Sequence, residues 1–305
     1  MSNPGNILIT GATGTVGKPL ALRLAAAASA PAASASGGPR IRVRALVRDP
    51  ARAAGLAEAG VALVAGAFED AAKMAAALDQ VDTLVLITAA GAGAADLAHA
   101  AVEAARAAGV RRIVRLSAIK ASADGPTDNT RQHARTEAEI RATGAAFVFL
   151  RPVAFYQNLL WSAGEVLSQG TLHQGTGDAR VNLIDTRDVV DCLERVALSD
   201  ELDGQTFELT GPAPVSNAEV AASLARALGR PVRYVPVAPD ALGEGMRKLG
   251  ADEWTARLVR DYATAYGQGW GDFTTDAVQQ LSGHPARDLD AFVREVFVPA
   301  TSAAS

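Results

Sequence analysis

Short apolar runs alternate with longer segments in which apolar residues recur every three or four positions, over the whole first half of the chain. The runs lie at residues 6–10, 42–47, 61–65, 83–88, 113–117 and 146–151, and several are near-continuous in Val, Ile and Leu. Strands covered by helices on both faces look like that. The periodic segments predict helices over 16–28, 51–58, 71–78, 94–108 and 130–143, with Gly109 and Gly144 where C-terminal caps belong. Strands alternating with helices in this way predict an α/β fold, a doubly wound parallel sheet of Rossmann type. Residues 28–39, built from Ala, Ser, Pro and Gly, interrupt the rhythm and predict a loop extension without chemistry.

Beyond residue 151 the pattern changes. A helix over 155–168 leads into a Gly-rich turn, a strand at 180–184, a helix over 187–197 and a strand at 206–210. A helix over 215–228 follows, entered through Ser216 or Asn217, with Glu219 three residues after Ser216 completing a capping box. A strand at 232–235 precedes a mainly helical remainder with a Gly-rich break at 267–272. Two domains are expected: a nucleotide-binding domain at 1–153 with returning segments at about 180–212, and a smaller, mainly helical cap at 154–179 and 213–305. Ligands of open α/β sheets bind beyond the carboxyl ends of the strands, so such a cap would form the substrate pocket.

The junction of the first strand and first helix carries the chemistry. Gly11, Gly14 and Gly17 fall where a βα turn must turn tightly, admit a pyrophosphate to bare backbone and pack a helix on a strand. A pyrophosphate there would meet the free N–H groups and positive dipole end of the helix. The expected cofactor residues are Gly11, Thr13, Gly14, Thr15, Val16 and Gly17, with Thr10 as a further hydroxyl donor and Thr88 at the end of the fourth strand run. The second strand ends Leu46-Val47-Arg48-Asp49-Pro50. An arginine there matches a 2′-phosphate bidentately, which favours NADP(H) over NAD(H), whereas Asp49 would take the ribose hydroxyls if the register shifted by one residue.

At 305 residues, 49% hydrophobic and 20% charged, the chain has the makeup of a soluble globular enzyme. A formal net charge of -4 gives no global attraction for nucleic acid or an anionic membrane. The single cysteine, Cys192, excludes an internal disulfide and fits a reducing cytoplasm. Residues 20–36 imitate a secretory h-region, but a strand and a glycine turn precede them and Arg23 interrupts them. No run is long enough to span a bilayer. The histidines at 99, 173 and 284 have no ligand spacing, so no metal is expected. Ser117 has no nucleophile elbow around it, which argues against a hydrolase.

Six separated strings occur in order: Ile7-Leu8-Ile9-Thr10-Gly11-Ala12-Thr13-Gly14-Thr15-Val16-Gly17, Leu46-Val47-Arg48-Asp49-Pro50, Leu150-Arg151-Pro152, Phe155-Tyr156-Gln157-Asn158-Leu159, Asp185-Thr186-Arg187-Asp188-Val189 and Phe207-Glu208-Leu209-Thr210-Gly211-Pro212. Over roughly residues 5 to 297 the chain resembles the NmrA-like family of atypical short-chain dehydrogenases, closest in pattern to its quinone oxidoreductase type 2 branch. The resemblance implies a Rossmann domain, NADP binding, and either reduction of a small carbonyl, quinone or enone or cofactor sensing without turnover. The chain departs from ordinary short-chain dehydrogenases at their Tyr-x-x-x-Lys pair. In that region stands His133-Ala134-Arg135-Thr136-Glu137, and neither tyrosine nor lysine occurs on the helix.

His133 and Glu137 share a helix face and are spaced to pair. Imidazole is a competent proton donor near neutral pH, and the quinone-reductase branch has a similar His-x-x-x-Glu, so His133 is carried across as a candidate catalytic residue. Ser117, at the carboxyl end of the fifth strand, faces the nicotinamide position and is expected to donate to a substrate oxygen. Tyr156 is expected to reach the same mouth as a proton donor, with Asn158 and Lys120 as substrate-binding groups. The expected function is an NADPH-dependent oxidoreductase that reduces a small quinone, enone or ketone. The alternatives are a non-catalytic NADP(H) sensor and an isomerase or epimerase that uses the cofactor transiently.

Overall fold

A computed structural model describes residues 5–29 and 41–302. The first half runs β1 (Asn6–Ile9), α1 (Gly17–Ser29), β2 (Arg42–Val47), a 3-10 turn (Pro50–Ala53), α2 (Ala54–Glu58), β3 (Ala62–Ala65), α3 (Ala71–Leu78), β4 (Thr83–Leu86), α4 (Ala94–Ala107), β5 (Arg112–Leu116), α5 (Asp128–Ala142) and β6 (Ala146–Pro152). Each expected strand and helix of this half is present, shifted by no more than a few residues at its ends. The expected loop extension lies, from residue 30 to its end, outside the described residues. Gly109 and Gly144 have φ of 72° and 76°, the left-handed geometry that ends a helix.

The second half runs β7 (Ala154–Phe155), a 3-10 segment (Tyr156–Ser162), α6 (Ala163–Gln169), β8 (Thr171–Gln174), β9 (Leu183–Ile184), α7 (Thr186–Ala197), β10 (Thr206–Leu209), α8 (Asn217–Leu228), β11 (Arg233–Pro236), α9 (Pro239–Lys248), α10 (Glu253–Gly267), α11 (Ala277–Ser282) and α12 (Leu289–Phe292). The last helix continues through a π turn, Val293–Phe297, to Ser302. The single helix expected at 155–168 is a 3-10 segment followed by a short α-helix. The Gly-rich stretch after it conceals a strand, β8, which pairs in parallel with β11. The capping box forms as expected: Ser216 takes the Glu219 N–H, and the Glu219 carboxylate takes the Ser216 N–H.

The chain divides into two compact units. The first comprises the described residues up to Ala123 with Arg131–Arg151 and Val189–Phe207; the second comprises Asp124–Thr130, Pro152–Asp188 and Glu208 onward. The sheet has the order β3-β2-β1-β4-β5-β6-β10, a doubly wound arrangement whose strand order reverses between β1 and β4. β1 pairs in parallel with β2, Ile9 opposite Ala45, and with β4, Ile9 opposite Val85. β5 continues the series, Leu86 opposite Arg115, and β6 follows with Leu116 opposite Leu150. The carboxyl ends of these strands therefore lie side by side.

The core of the first unit is built from Leu8, Leu46, Met74, Leu78, Leu84, Leu86, Val102, Ile113, Ile140 and Phe149. Strand side chains and the inner faces of the flanking helices meet there, and full burial of each large side chain contributes about 1.5–3 kcal/mol. The second unit has its own core, with Leu159, Val166, Leu172, Leu224, Phe292 and Phe297 at its centre. Among the described residues no helix is long and apolar enough to cross a membrane.

Candidate active site

The turn after β1 shows why three glycines stand there. Gly11 has φ +62°, and a Cβ on it would lie 2.9 Å from the carbonyl oxygen of Ile87. A Cβ on Gly17 would lie 2.2 Å from the Gly11 oxygen, so a side chain there would force α1 off the turn. Gly14 closes the turn through its N–H to the Gly11 oxygen at 3.0 Å. A Cβ on Gly14 meets only that oxygen, at 3.3 Å, and otherwise projects into open space. Thr13, Gly14 and Thr15 are all exposed, a bare polar rim at the N-terminus of α1. This cradle, which a side chain would fill, fits a pyrophosphate.

One of the neighbouring residues does something other than expected. Thr10 is fully buried, and its hydroxyl donates to the Ile87 oxygen at 2.9 Å while accepting the Ile87 N–H at 2.9 Å. It staples the end of β1 to the end of β4, with its hydroxyl proton used there rather than offered to a phosphate. Val16, at 5% exposure, is a core residue through its side chain.

Arg48 and Asp49 part ways. Arg48 follows β2 directly and is exposed. Asp49 caps the next turn, its Oδ1 accepting the Ala51 N–H at 3.0 Å. The carboxylate is thus tied to its own backbone, which leaves the guanidinium as the group offered beside the Gly-rich turn. That arrangement fits a nucleotide carrying a 2′-phosphate.

At the carboxyl ends of β4 and β5 the structure assembles a polar network. Arg115, only 2% exposed, lies within β5. Its Nη1 donates to the Leu86 oxygen at 3.2 Å, and its Nη2 donates to Thr88 Oγ1 at 2.8 Å and to His133 Nδ1 at 3.2 Å. Burial pulls its guanidinium down to about 10, with Glu137 opposing the shift. Burial first, then the charges of Arg115 and Arg151, hold the His133 imidazole well below its ordinary range. His133 Nε2 has no partner among the described residues.

Glu137 does not pair with His133. It is 1% exposed and takes Arg151 bidentately, at 2.8 and 2.5 Å, with the Ser117 hydroxyl at 2.6 Å on the same carboxylate. One helix turn separates the two residues, yet each finds its partner on the sheet beneath, because burial makes an arginine fork a stronger partner for a carboxylate than a neutral imidazole. Ser117 consequently directs its proton to Glu137, so the expected donation from Ser117 to a substrate is not available. Its oxygen lone pairs remain as acceptors.

In the second unit, Tyr156 is fully buried, stacked on Phe292 with ring centroids 5.4 Å apart. Burial, and then the charges of Asp288, Asp185 and Asp188, push its phenol well up. The expected proton donor is a core side chain, because the 3-10 turn that it opens packs it against apolar residues. Gln157 and Asn158 diverge: Gln157 donates to Asp185 at 2.9 Å, whereas Asn158 is exposed. Asp185 also takes the Arg187 N–H and guanidinium, so the Asp185-Thr186-Arg187 string is a local lock at the start of α7. Lys120 is half-buried with φ of 45°, in the left-handed region.

Sequence reasoning missed Arg115 and Arg151 as site-building residues. A charge inside an otherwise apolar strand run was the available signal, since buried arginines occur only with partners.

A glycine turn at the point where strand order reverses, with an exposed arginine beyond β2, defines a dinucleotide-binding protein of the Rossmann class. The profile of a family described as NAD(P)H-binding matches residues 11–183. The chain is 31% identical to the NAD(P)H azoreductase of Xenophilus azovorans, over 94% of this chain and 96% of that one. It is 34% identical to the (4-alkanoyl-5-oxo-2,5-dihydrofuran-3-yl)methyl phosphate reductase of Streptomyces griseus, over 96% and 99%. The crystal structure of the Escherichia coli NADPH-dependent quinone oxidoreductase with NADPH superposes with a TM-score of 0.84 at 26% identity, covering 95% of this chain and 99% of that one. The chain belongs to this NAD(P)H-binding family, within the NmrA-like, atypical short-chain dehydrogenase type that its motifs resemble.

Proposed function

We propose that this protein is an NADPH-dependent oxidoreductase that reduces a small quinone, enone or ketone. The observation that carries the reading is the division of labour after β2, Arg48 exposed and Asp49 tied to Ala51, beside a glycine cradle that a side chain would fill. The relatives support it: along nearly their whole lengths they are reductases, and the solved quinone oxidoreductase holds NADPH. This favours turnover over a sensing or isomerising role.

Gly11, Gly14 and Gly17 would hold the pyrophosphate, with Thr13 and Thr15 at the rim, and Arg48 the 2′-phosphate. Thr88 and Ser117 follow β4 and β5, at the strand ends where ligands of such sheets bind, and His133 of α5 meets Thr88 through Arg115. The cofactor supplies a hydride when bound, and the chain's own contribution is orientation and hydrogen bonding. In this reading the second unit supplies substrate binding, with Asn158 as one of its polar groups, and Lys120 is a substrate-binding group of the first unit. The site takes a small molecule; a formal net charge of -4 speaks against nucleic acid, and a single buried Cys192 fits a reducing cytoplasm.

The test is consumption of NADPH, followed by its absorbance, with a panel of quinones, enones and ketones. Turnover above the protein-free rate with at least one class is expected, and none with any acceptor would refute the reading.

A further inference from the structure

We propose that Arg115 is a positioning residue that holds His133 in the tautomer with its proton on Nε2, and that this Nε2–H is the hydrogen-bond donor to the acceptor oxygen of the substrate. The second half of the inference rests on the reductase reading above; the first half stands on geometry alone.

A guanidinium has donors and no acceptor, so the 3.2 Å contact from Arg115 Nη2 to His133 Nδ1 requires that Nδ1 accept. In a neutral imidazole the proton then sits on Nε2. The fork cannot swing away, because Leu86 O and Thr88 Oγ1 anchor it at 3.2 and 2.8 Å and the residue is buried in β5. Nε2 is the free end of this chain of contacts, without a partner among the described residues. The groups that set its charge come from two strands: Arg115 of β5 and Arg151 of β6 both oppose an imidazolium. Glu137, the acid one turn along the same helix, would favour one, but its carboxylate is held by Arg151 and Ser117. Arg115, Arg151, Glu137 and Ser117 thus converge on one outcome, a neutral donor at His133.

A neutral donor suits a quinone. A quinone that accepts a hydride, with its electron pair, from the reduced nicotinamide becomes a hydroquinone monoanion, and its oxygen then needs a hydrogen bond rather than an immediate proton. His133 keeps its proton throughout, and water supplies the one that completes the hydroquinone after release. The imidazole therefore does not cycle between charge states.

The experiment has two arms on the full-length protein. Long-range proton–nitrogen NMR of protein labelled with 15N-histidine, assigned with His133→Gln, is expected to show an Nε2–H imidazole that stays neutral where an exposed histidine has already taken up its proton. In Arg115→Met the signals should average between tautomers and the protonation midpoint should rise; Arg115→Gln, whose amide can either donate to Nδ1 or accept from it, is the second variant if Arg115→Met does not fold. An Nδ1–H pattern in the parent protein, or an unchanged pattern in a folded Arg115 variant, overturns the positioning role. In the kinetic arm, His133→Phe is expected to lower kcat/KM for a quinone about tenfold or more, as loss of one strong hydrogen bond to developing charge does. His133→Gln, whose amide accepts from Arg115 and donates outward, should recover most of that loss, with no inflection near about pH 6.5 in the parent profile. Equal rates for parent and His133→Phe overturn the donor role while leaving the reductase reading intact. A parent protein that oxidises no NADPH with any acceptor overturns the donor role together with the reductase reading, and the NMR arm still decides the part played by Arg115.

Discussion

Ser117 donates its hydroxyl proton to Glu137 at 2.6 Å, and the same carboxylate is clamped by both arms of Arg151. A serine at the end of the fifth strand is thereby a buried structural donor. Removing the acid takes the bidentate carboxylate from the mostly buried Arg151 guanidinium and the 3.6 Å ion-pair partner from Arg141. Glu137→Leu is expected to cost about 3 kcal/mol in denaturant unfolding, the size found when one member of a buried pair is removed. Adding Arg151→Met should restore part of that loss, so that the double variant unfolds at higher denaturant than additivity predicts.

Cofactor choice is tested at Arg48. Removing the guanidinium in Arg48→Ala should raise the Kd for NADPH about tenfold to a hundredfold, since a charge-assisted fork on phosphate contributes on the order of 1.4–2.7 kcal/mol. The Kd for NADH should stay within about twofold, because Asp49 remains tied to Ala51. Titration of both reduced cofactors by fluorescence checks this, and an equal loss for both would remove the 2′-phosphate assignment.

The fold of the first half was legible because each element obeys a local rule: continuous apolar runs for strands buried on both faces, amphipathic spacing for helices, and glycine where φ is positive. The dinucleotide turn was legible because its three glycines fall within seven residues, even though the atom that crowds Gly11 belongs to Ile87. The polar network was not. The pairing of Glu137 with Arg151 rather than His133, and the support of His133 by Arg115, depend on which strands lie side by side, and that information is absent from helical spacing. Tyr156 misled for a related reason: a tyrosine just after a strand end is equally suited to a site or a core, and the choice is made by Phe292, over a hundred residues away in the chain. β8 escaped because a four-residue strand beside glycines carries too little pattern to stand out.

The glycines separate folding from binding. Gly17→Ala would put a Cβ 2.2 Å from the Gly11 oxygen, whereas Gly14→Ala meets that oxygen only at 3.3 Å. The first variant should be destabilised by about 2 kcal/mol or more, as overpacking against fixed backbone is. The second should melt within about 2 °C of the parent, a shift that corresponds to about 1 kcal/mol, yet bind NADPH at least about tenfold more weakly, because its methyl group occupies the cradle. Thermal melts with and without cofactor distinguish the two; a Gly14→Ala protein that binds normally would show that the pyrophosphate lies elsewhere.

Thr10 offers a test of structure against chemistry. In Thr10→Val both hydrogen bonds to Ile87 disappear, and a buried N–H and carbonyl lose their partner. The expected cost is about 2 kcal/mol in unfolding free energy, with NADPH affinity in the folded fraction little changed. A hydroxyl that bound phosphate would give the opposite result, a loss of affinity with stability retained.

The His133 imidazole also links stability to pH, in a direction fixed by its environment. Its folded-state pKa lies well below the unfolded value near 6.5. Between those two values the unfolded chain carries a proton on this residue and the folded protein does not, so stability is complete above about pH 6.5 and falls as the medium becomes more acidic. For one proton the slope cannot exceed about 1.4 kcal/mol per pH unit. Urea unfolding of the parent and of His133→Gln from about pH 7.5 to about pH 5 should therefore give two curves that converge toward acid, because the glutamine variant lacks this proton uptake. Arg115→Met should fall between them: with one of the two opposing charges gone, the folded-state pKa moves back toward the unfolded value, so the acid loss should be shallower than in the parent and steeper than in His133→Gln. Parallel curves for all three proteins would mean that His133 takes up its proton equally well in the folded and unfolded chain, which is incompatible with an imidazole kept neutral between Arg115 and Arg151.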